Sequence, residues 1–403
     1  MNAVAARSPR CGIDSVEVAR VERMLADTPA ADLSALFSAD ELRDAGDGPG
    51  RAGSLAARLA AKEACLKLFP RETALNTIAA PDFSVVRDVW GAPEVVCSPT
   101  AEAVRNRHRI ARITLSMTHD RTNASAVALA EPAVTEVTLS GRLFYHLLPL
   151  RRRVIMANLR RVYGDHLPDA EITRIAQAHY GHVLKLPFEL LAALWTSPER
   201  RAARVRIENE ALVLDALAQR KGMIVLTGHF GNWEVATVSG ISLFPELRGH
   251  FHFVRRRIKW RWLDALVARH FRNAGFGILA KRDTLDAILD RLADGDVVVF
   301  PFDQHARGKD GIPVEFFGHP AGTFRSLAVI ALATGAPVLP AASWREPDGS
   351  HVLRFEEPLP LVDCENTDEA IRRNTRAYNA ALERAILRRP EQWWWSHRRW
   401  KTG

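Results

Sequence analysis

Cysteine is scarce. The four residues, Cys11, Cys65, Cys97 and Cys364, are scattered over 403 positions. None stand at a zinc-site or disulfide-framework spacing, which argues against both and fits a reducing compartment. Long apolar runs are missing too. The nearest to one, Ser326 to Ala342, is broken by Gly335 and Pro337 and reads as helix, turn and strand. The opening MNAVAARSPR has no apolar core of the signal-peptide kind, so a cytoplasmic protein is expected. Internal repeats and low-complexity tracts are absent, and no nucleic-acid-binding motif is visible.

What is present supports folded cores: 47% of residues are hydrophobic and 25% charged. The length allows two or three domains. A formal charge of +8 suits an anionic lipid surface or an acidic protein, with nucleic acid ranked last. Composition shifts along the chain, because nine of the ten tryptophans follow residue 190.

One stretch organises the rest. Gly222 to Glu234, GMIVLTGHFGNWE, opens with a strand-like apolar run and turns through Gly228-His229-Phe230-Gly231. Asn232 then offers a cap for a helix starting at Trp233. This frame places His229 at the carboxyl end of a strand and Glu234 in the next helical turn, as a general base and its orienting carboxylate require. The spacing alone is weak. His166/Glu171, His305/Asp310 and His351/Glu356 share it, and only His229 has the strand–turn–helix context.

Ahead of it, Gly12 to Val18 alternates as a strand, Ser38 to Glu41 has capping-box spacing, and Ser54 to Phe69 reads as a helix. On that helix Arg58/Lys62 and Glu63/Lys67 are one turn apart, a pattern that a solvated charged face also gives. Strands follow at 82–96, 113–120 and 124–130. Three segments in order, GIDSVEVARVE, ARLAAKEACLKLF and LSMTHDRTNASAVAL, resemble the holo-acyl-carrier-protein synthase family of phosphopantetheinyl transferases over residues 11–130. The resemblance implies an α+β domain that moves phosphopantetheine from coenzyme A to a serine of acyl carrier protein. It implies Mg2+ on Asp14 and Glu63. Arg58, Lys62, Lys67 and His119 would contact coenzyme A phosphates, with His119 also assisting the reaction, and Arg20 would grip the carrier. The family is commonly trimeric, so a homotrimer through this domain is expected.

Residues 131–139, with Pro132, read as a linker. Leu143 to Val162 is apolar and arginine-rich, and reads equally as a membrane-surface segment or a packed helix with a basic face. From 222 onward strands and helices alternate, which argues for an α/β layered domain over 140–403. Four stretches, TGHFGNWE, FDQHARGKDGIPVEFFGHPAGT, LATGAPVLPAASWRE and PEQWWWSHRRWK, resemble the lipid A biosynthesis acyltransferases. That resemblance implies acyl transfer from acyl carrier protein to a hydroxyl or amine of a lipid acceptor. His229 would be the base, Glu234 its partner and Arg256 the oxyanion donor, with Arg255 and Arg257 hard to separate from it. Asp303 matches a family aspartate, structural or catalytic. Phe316-Phe317-Gly318 either lines an acyl groove or makes a core turn, and Trp393–Trp395 forms an interfacial or packing tail. The expectation is a bifunctional enzyme sharing one carrier, peripheral on the cytoplasmic face of the inner membrane. The alternative is an active acyltransferase with a non-catalytic carrier-docking module in front.

Overall fold

The structure, a computed structural model, describes residues 10–401 except 30, 149, 241–243, 245–247, 256–260 and 281–284. The chain divides into two compact units, Met1–Val134 and Thr135–Gly403.

The first unit runs β1 (Arg10–Glu17), α1 (Val18–Asp27), α2 (Ala39–Ala45), α3 (Arg51–Leu66), α4 (Arg71–Asn76), β2 (Phe83–Arg87), β3 (Pro93–Cys97), α5 (Pro99–Arg107), β4 (Ile110–His119) and β5 (Asn123–Pro132). Its strands form one antiparallel sheet in the order β1-β5-β4-β3-β2. Alternation along β5 makes the sheet one-sided: Ala124, Ala126, Ala128 and Ala130 are buried, while Leu129 is exposed. The alanines of β5 meet those of α3, among them Ala56, Ala57, Ala60 and Ala64, so the helix lies close on the sheet. α3 starts at Arg51, earlier than the expected Ser54, and Arg51 reaches back to Asp47 Oδ1 (2.7 Å). The expected capping box holds α2. Ser38 Oγ accepts from the Glu41 N–H (3.3 Å), and Glu41 Oε2 accepts from the Ser38 N–H (2.7 Å). The same Glu41 is fully buried, and its Oε1 accepts from the Val85 N–H (2.9 Å).

The second unit opens with α6 (Leu139–Leu147), α7 (Arg152–Tyr163), α8 (Asp169–Trp195) and α9 (Pro198–Ala202). It continues with β6 (Val205–Glu208), α10 (Glu210–Ala218), β7 (Met223–Thr227), α11 (Trp233–Gly240), β8 (Phe251–Arg255), α12 (Arg261–Asn273), β9 (Phe276–Ala280), α13 (Leu285–Ala293) and β10 (Val297–Pro301). Last come β11 (Gly311–Phe316), β12 (His319–Phe324), α14 (Ser326–Thr334), β13 (Val338–Arg345), β14 (His351–Phe355) and α15 (Thr367–Arg388). Seven strands form a sheet ordered β6-β14-β13-β7-β10-β8-β9. The five from β13 to β9 are parallel; β14 runs antiparallel to β13, with β6 parallel to β14. β7 and β10 are interior strands, which is why both are unbroken apolar runs with buried side chains. The apolar, arginine-rich stretch 143–162 is not one segment. It spans two helices, and Arg151 enters α7 with a left-handed φ of 56°.

Candidate active sites

In the second unit, strand register sets the site. β7 and β10 pair in parallel from Met223↔Val297 to Thr227↔Pro301. Each chain then leaves its strand and, two residues later, presents His229 or Asp303. The side chains therefore meet at the carboxyl edge of the sheet, the usual place for a ligand site in parallel α/β sheets. His229 Nδ1 donates to Asp303 Oδ1 (2.8 Å), and the His229 peptide N–H donates to Oδ2 (2.8 Å). The Trp393 indole N–H gives Oδ2 another bond (2.9 Å).

Asp303 is fully buried. Burial pushes its carboxyl up, but the charge and hydrogen bonds of His229, with His397 behind, outweigh this and hold it below the usual carboxylate range. An ionised Asp303 fixes the Nδ1–H tautomer and leaves Nε2 as the proton acceptor on the ring's other edge. The His229 side chain keeps 20% of its surface exposed.

The glycines beside the histidine are required by close approaches. A Cβ on Gly228 would stand 3.1 Å from the Asp303 carboxyl carbon, and one on Gly231 would meet Ser343 O at 2.7 Å. Gly231 also takes a φ of 53°. The rings of Trp233 (5.0 Å between centroids) and His397 (5.3 Å) pack edge-to-face against His229 and set its plane. Burial lowers the His397 pKa, partly offset by Asp303. His397 Nε2 is buried without a hydrogen bond among the described residues.

The tail after α15 builds the wall. The Trp394 N–H donates to His229 O (3.1 Å) and the Gly231 N–H to Gln392 O (2.9 Å). The Gln392 side chain exchanges two 2.8 Å bonds with the Arg345 backbone. Asn158 Nδ2 donates to Trp395 O (2.8 Å) and His397 O (2.7 Å). Behind the turn, Asn232 donates to Glu189 (2.9 Å), which is paired with Arg345. Ser343 Oγ donates to Phe230 O (3.1 Å). Residues from all four quoted stretches thus meet at one place.

In the first unit, Asp14 lies on β1 and Glu63 on α3. A Cβ on Gly12 would stand 2.0 Å from Ala64 O, so glycine lets strand and helix touch where both carboxylates sit. Lys67 Nζ is 2.7 Å from Asp14 Oδ1 and donates to Ile13 O (2.7 Å). His119, exposed at the end of β4, lies over the start of α3, where a Cβ on Gly53 would be 2.7 Å from its ring. Glu63 is on α3 and Lys67 caps its end, joined there by Asp14 of β1, while His119 packs at the helix's opposite end. Arg20 is exposed on α1.

A model of the bacterial lipid A biosynthesis acyltransferase family matches residues 126–402. The chain belongs to that family. Residues 10–126 match the 4'-phosphopantetheinyl transferase superfamily, so a domain of a second transferase family precedes the first match. A lipid A biosynthesis lauroyltransferase of Escherichia coli is 25% identical over 65% of this chain and 83% of its own length. A phosphatidylinositol mannoside acyltransferase of Mycobacterium tuberculosis is 28% identical over 44% of this chain and 54% of its own. The chain thus spans about half the length of that relative. A holo-[acyl-carrier-protein] synthase of Moorella thermoacetica is 34% identical over 31% of this chain and 95% of its own length.

Some expected residues lie outside the described part of the structure, and others are buried. Glu234 is in the first turn of α11, but its side chain lies outside the described residues, as does Arg256 with Arg257; the Arg255 side chain is likewise undescribed. The carboxylate found on the His229 imidazole is Asp303. Arg58 and Lys62 lie inside the first unit and not on a solvated face. Both are buried: Arg58 pairs with Asp44 and bonds Ser54 Oγ (2.6 Å), and Lys62 Nζ is 2.8 Å from Glu41. Their charges are met by these carboxylates inside the first unit. Phe316 and Phe317 make the core turn, both buried, with the Phe317 N–H on Glu383 (2.8 Å). Trp393 and Trp395 are fully buried, a packing tail. Sequence reasoning missed the indole of Trp393 and His397 as site residues, although both belong to the quoted PEQWWWSHRRWK.

Proposed function

We propose that the chain is a bifunctional enzyme that primes acyl carrier protein and then draws on it. In the first reaction the hydroxyl of a carrier serine attacks the phosphorus that joins phosphopantetheine to the rest of coenzyme A. The P–O bond to the nucleotide breaks, and the serine proton leaves to a base. Asp14 and Glu63 are the carboxylates that would hold Mg2+, which takes one or two carboxylates and completes its shell with water and phosphate oxygens. When bound there, the ion would offset charge on the pyrophosphate. Lys67 holds the Asp14 carboxylate in place, and His119 is the proposed contact to phosphate or acceptor of the serine proton. Arg20 offers a cation to the acidic carrier.

In the second reaction an acceptor hydroxyl, or amine, attacks the carrier thioester. His229 Nε2 takes its proton, Asp303 steadies the imidazolium, and the thiolate leaves with that proton. Glu234 and Arg256 remain the proposed further carboxylate and oxyanion donor. A lipid acceptor is favoured by the similarity to acyltransferases whose names specify lipid A and phosphatidylinositol mannoside. The observation that carries this reading is the buried His229–Asp303 pair at the carboxyl edge of β7 and β10.

The test uses the full chain with apo-carrier, coenzyme A and Mg2+, then with acyl-carrier and a dispersed lipid acceptor. The carrier should gain the phosphopantetheine mass, and the acceptor should gain an acyl group. The docking-module alternative draws support from one observation, the burial of Arg58 and Lys62. It predicts no mass gain together with intact acyl transfer.

A further inference from the structure

The face formed by α6 and α7 is unlike the rest of the second unit. From Val137 to Gly164 the sequence holds six arginines and no acidic residue. α6 turns its small and aromatic side inward. A Cβ on Gly141 would meet Gln177 O at 2.6 Å, and Phe144 and Tyr145 pack on Tyr180, each at 5.6 Å. Its other side carries Leu139, Leu143 and Leu147, one turn apart and 76%, 53% and 68% exposed, followed by exposed Leu148 and Leu150. The same helix pair bounds a recess of about 530 Å³ lined by Tyr145, His146, Arg152, Arg153 and Arg160. Arg152 lies over the Tyr145 ring (5.2 Å), and Arg160 is engaged by Asp169 (3.1 and 3.2 Å). Arg142 and Arg153 are exposed.

A row of leucines at helical spacing beside clustered arginines is the pattern of a helix lying in a lipid interface. No helix among the described residues is long and apolar enough to cross a membrane. The face also adjoins the reaction site: α7 supplies Asn158 to His397 O (2.7 Å), and Arg151 donates to Ser396 O (3.0 Å).

We propose that the α6–α7 face docks the second unit on an anionic phospholipid bilayer, its leucines entering the headgroup–acyl boundary and its recess taking a lipid phosphate. The inference rests on the reading that the acceptor is a lipid, and it names the surface at which the acceptor is met. Continuous apolar exposure favours a bilayer over the acidic carrier, because charge alone would serve the carrier.

The test is co-sedimentation of the full chain with vesicles of phosphatidylcholine, and of phosphatidylcholine with phosphatidylglycerol. Wild type should partition onto the phosphatidylglycerol vesicles, and added salt should weaken this. The pair Leu143→Ser and Leu147→Ser should lower partition by about tenfold or more. Arg153→Glu should weaken it only where phosphatidylglycerol is present. Transfer to a detergent-dispersed acceptor should be unchanged in the leucine pair, and the thermal midpoint of Arg153→Glu should match wild type, which shows that both variants fold. Three outcomes would overturn the inference: no partition of wild type, partition indifferent to the leucine pair, or Arg153→Glu costing carrier affinity while vesicle binding stays. Partition is read without acyl transfer. Its failure therefore leaves the acyltransferase reading standing, and an inert chain that still partitions contradicts only that reading.

Discussion

The two sites hold their carboxylates in opposite ways. Asp14 shares a partly exposed link with Lys67, whose side chain is 52% exposed. Asp303 is sealed under Trp393 and accepts three hydrogen bonds from the protein. In the proposed reading the first is an open arrangement that metal, coenzyme and carrier would complete. The second is assembled from the protein's own groups, with the tail after α15 folded over the histidine. A preorganised acid–base pair needs burial to hold its tautomer, whereas a magnesium site needs access for water and phosphate.

The largest break in this comparison comes from the buried pair. His229→Ala should reduce acyl transfer by about a thousandfold or more, and Asp303→Asn by a comparable factor through the wrong tautomer. Phosphopantetheine transfer, read as carrier mass, should be unaffected in both. Glu63→Gln should do the converse, cutting phosphopantetheine transfer by about a hundredfold and leaving transfer from pre-acylated carrier intact. An equal loss of both activities in either variant would mean that the sites are not independent.

Smaller changes sharpen the contrast. Trp393→Phe keeps the ring but removes one bond from Asp303. It should lower kcat for acyl transfer about tenfold with little change in KM. The neighbouring buried histidines give a pH signature. His179 Nδ1 lies 3.1 Å from Glu391 O, and burial pulls the pKa down to about 4 despite that bond. Its folded-state value is below the unfolded one near 6.5. The neutral ring's contribution is therefore complete above about pH 6.5 and lost as pH falls towards 4, about 3 kcal/mol at most. Thermal denaturation of the full chain from pH 7 to 4 should steepen accordingly, and His179→Gln should flatten that slope. An unchanged slope would show that His179 is not the titrating group.

Much of the fold was legible because its elements announce themselves locally. The apolar run at Met223, the helix from Ser326 to Thr334 and the capping box at Ser38 rest on neighbours within a few residues. His229 was legible for the same reason. Its partner was not: Asp303 is brought to Nδ1 by the pairing of β7 with β10, a register that the sequence around His229 does not contain. Arg58 and Lys62 show the reverse failure. Their one-turn spacing reads as a solvated face, and only tertiary structure reveals Asp44 and Glu41 as buried partners. The break between α6 and α7 had a local signal, Pro149, which the apolar and basic pattern of the stretch outweighed in the sequence reading.

The most direct test of the central claim measures both reactions on the same preparations of wild type, Glu63→Gln and His229→Ala, with carrier and lipid products read by mass. Two independent sites on one chain predict that wild type performs both reactions and that each variant loses one while keeping the other. A wild type that adds no phosphopantetheine to any carrier, or a His229→Ala chain that still acylates lipid at the wild-type rate, would contradict it.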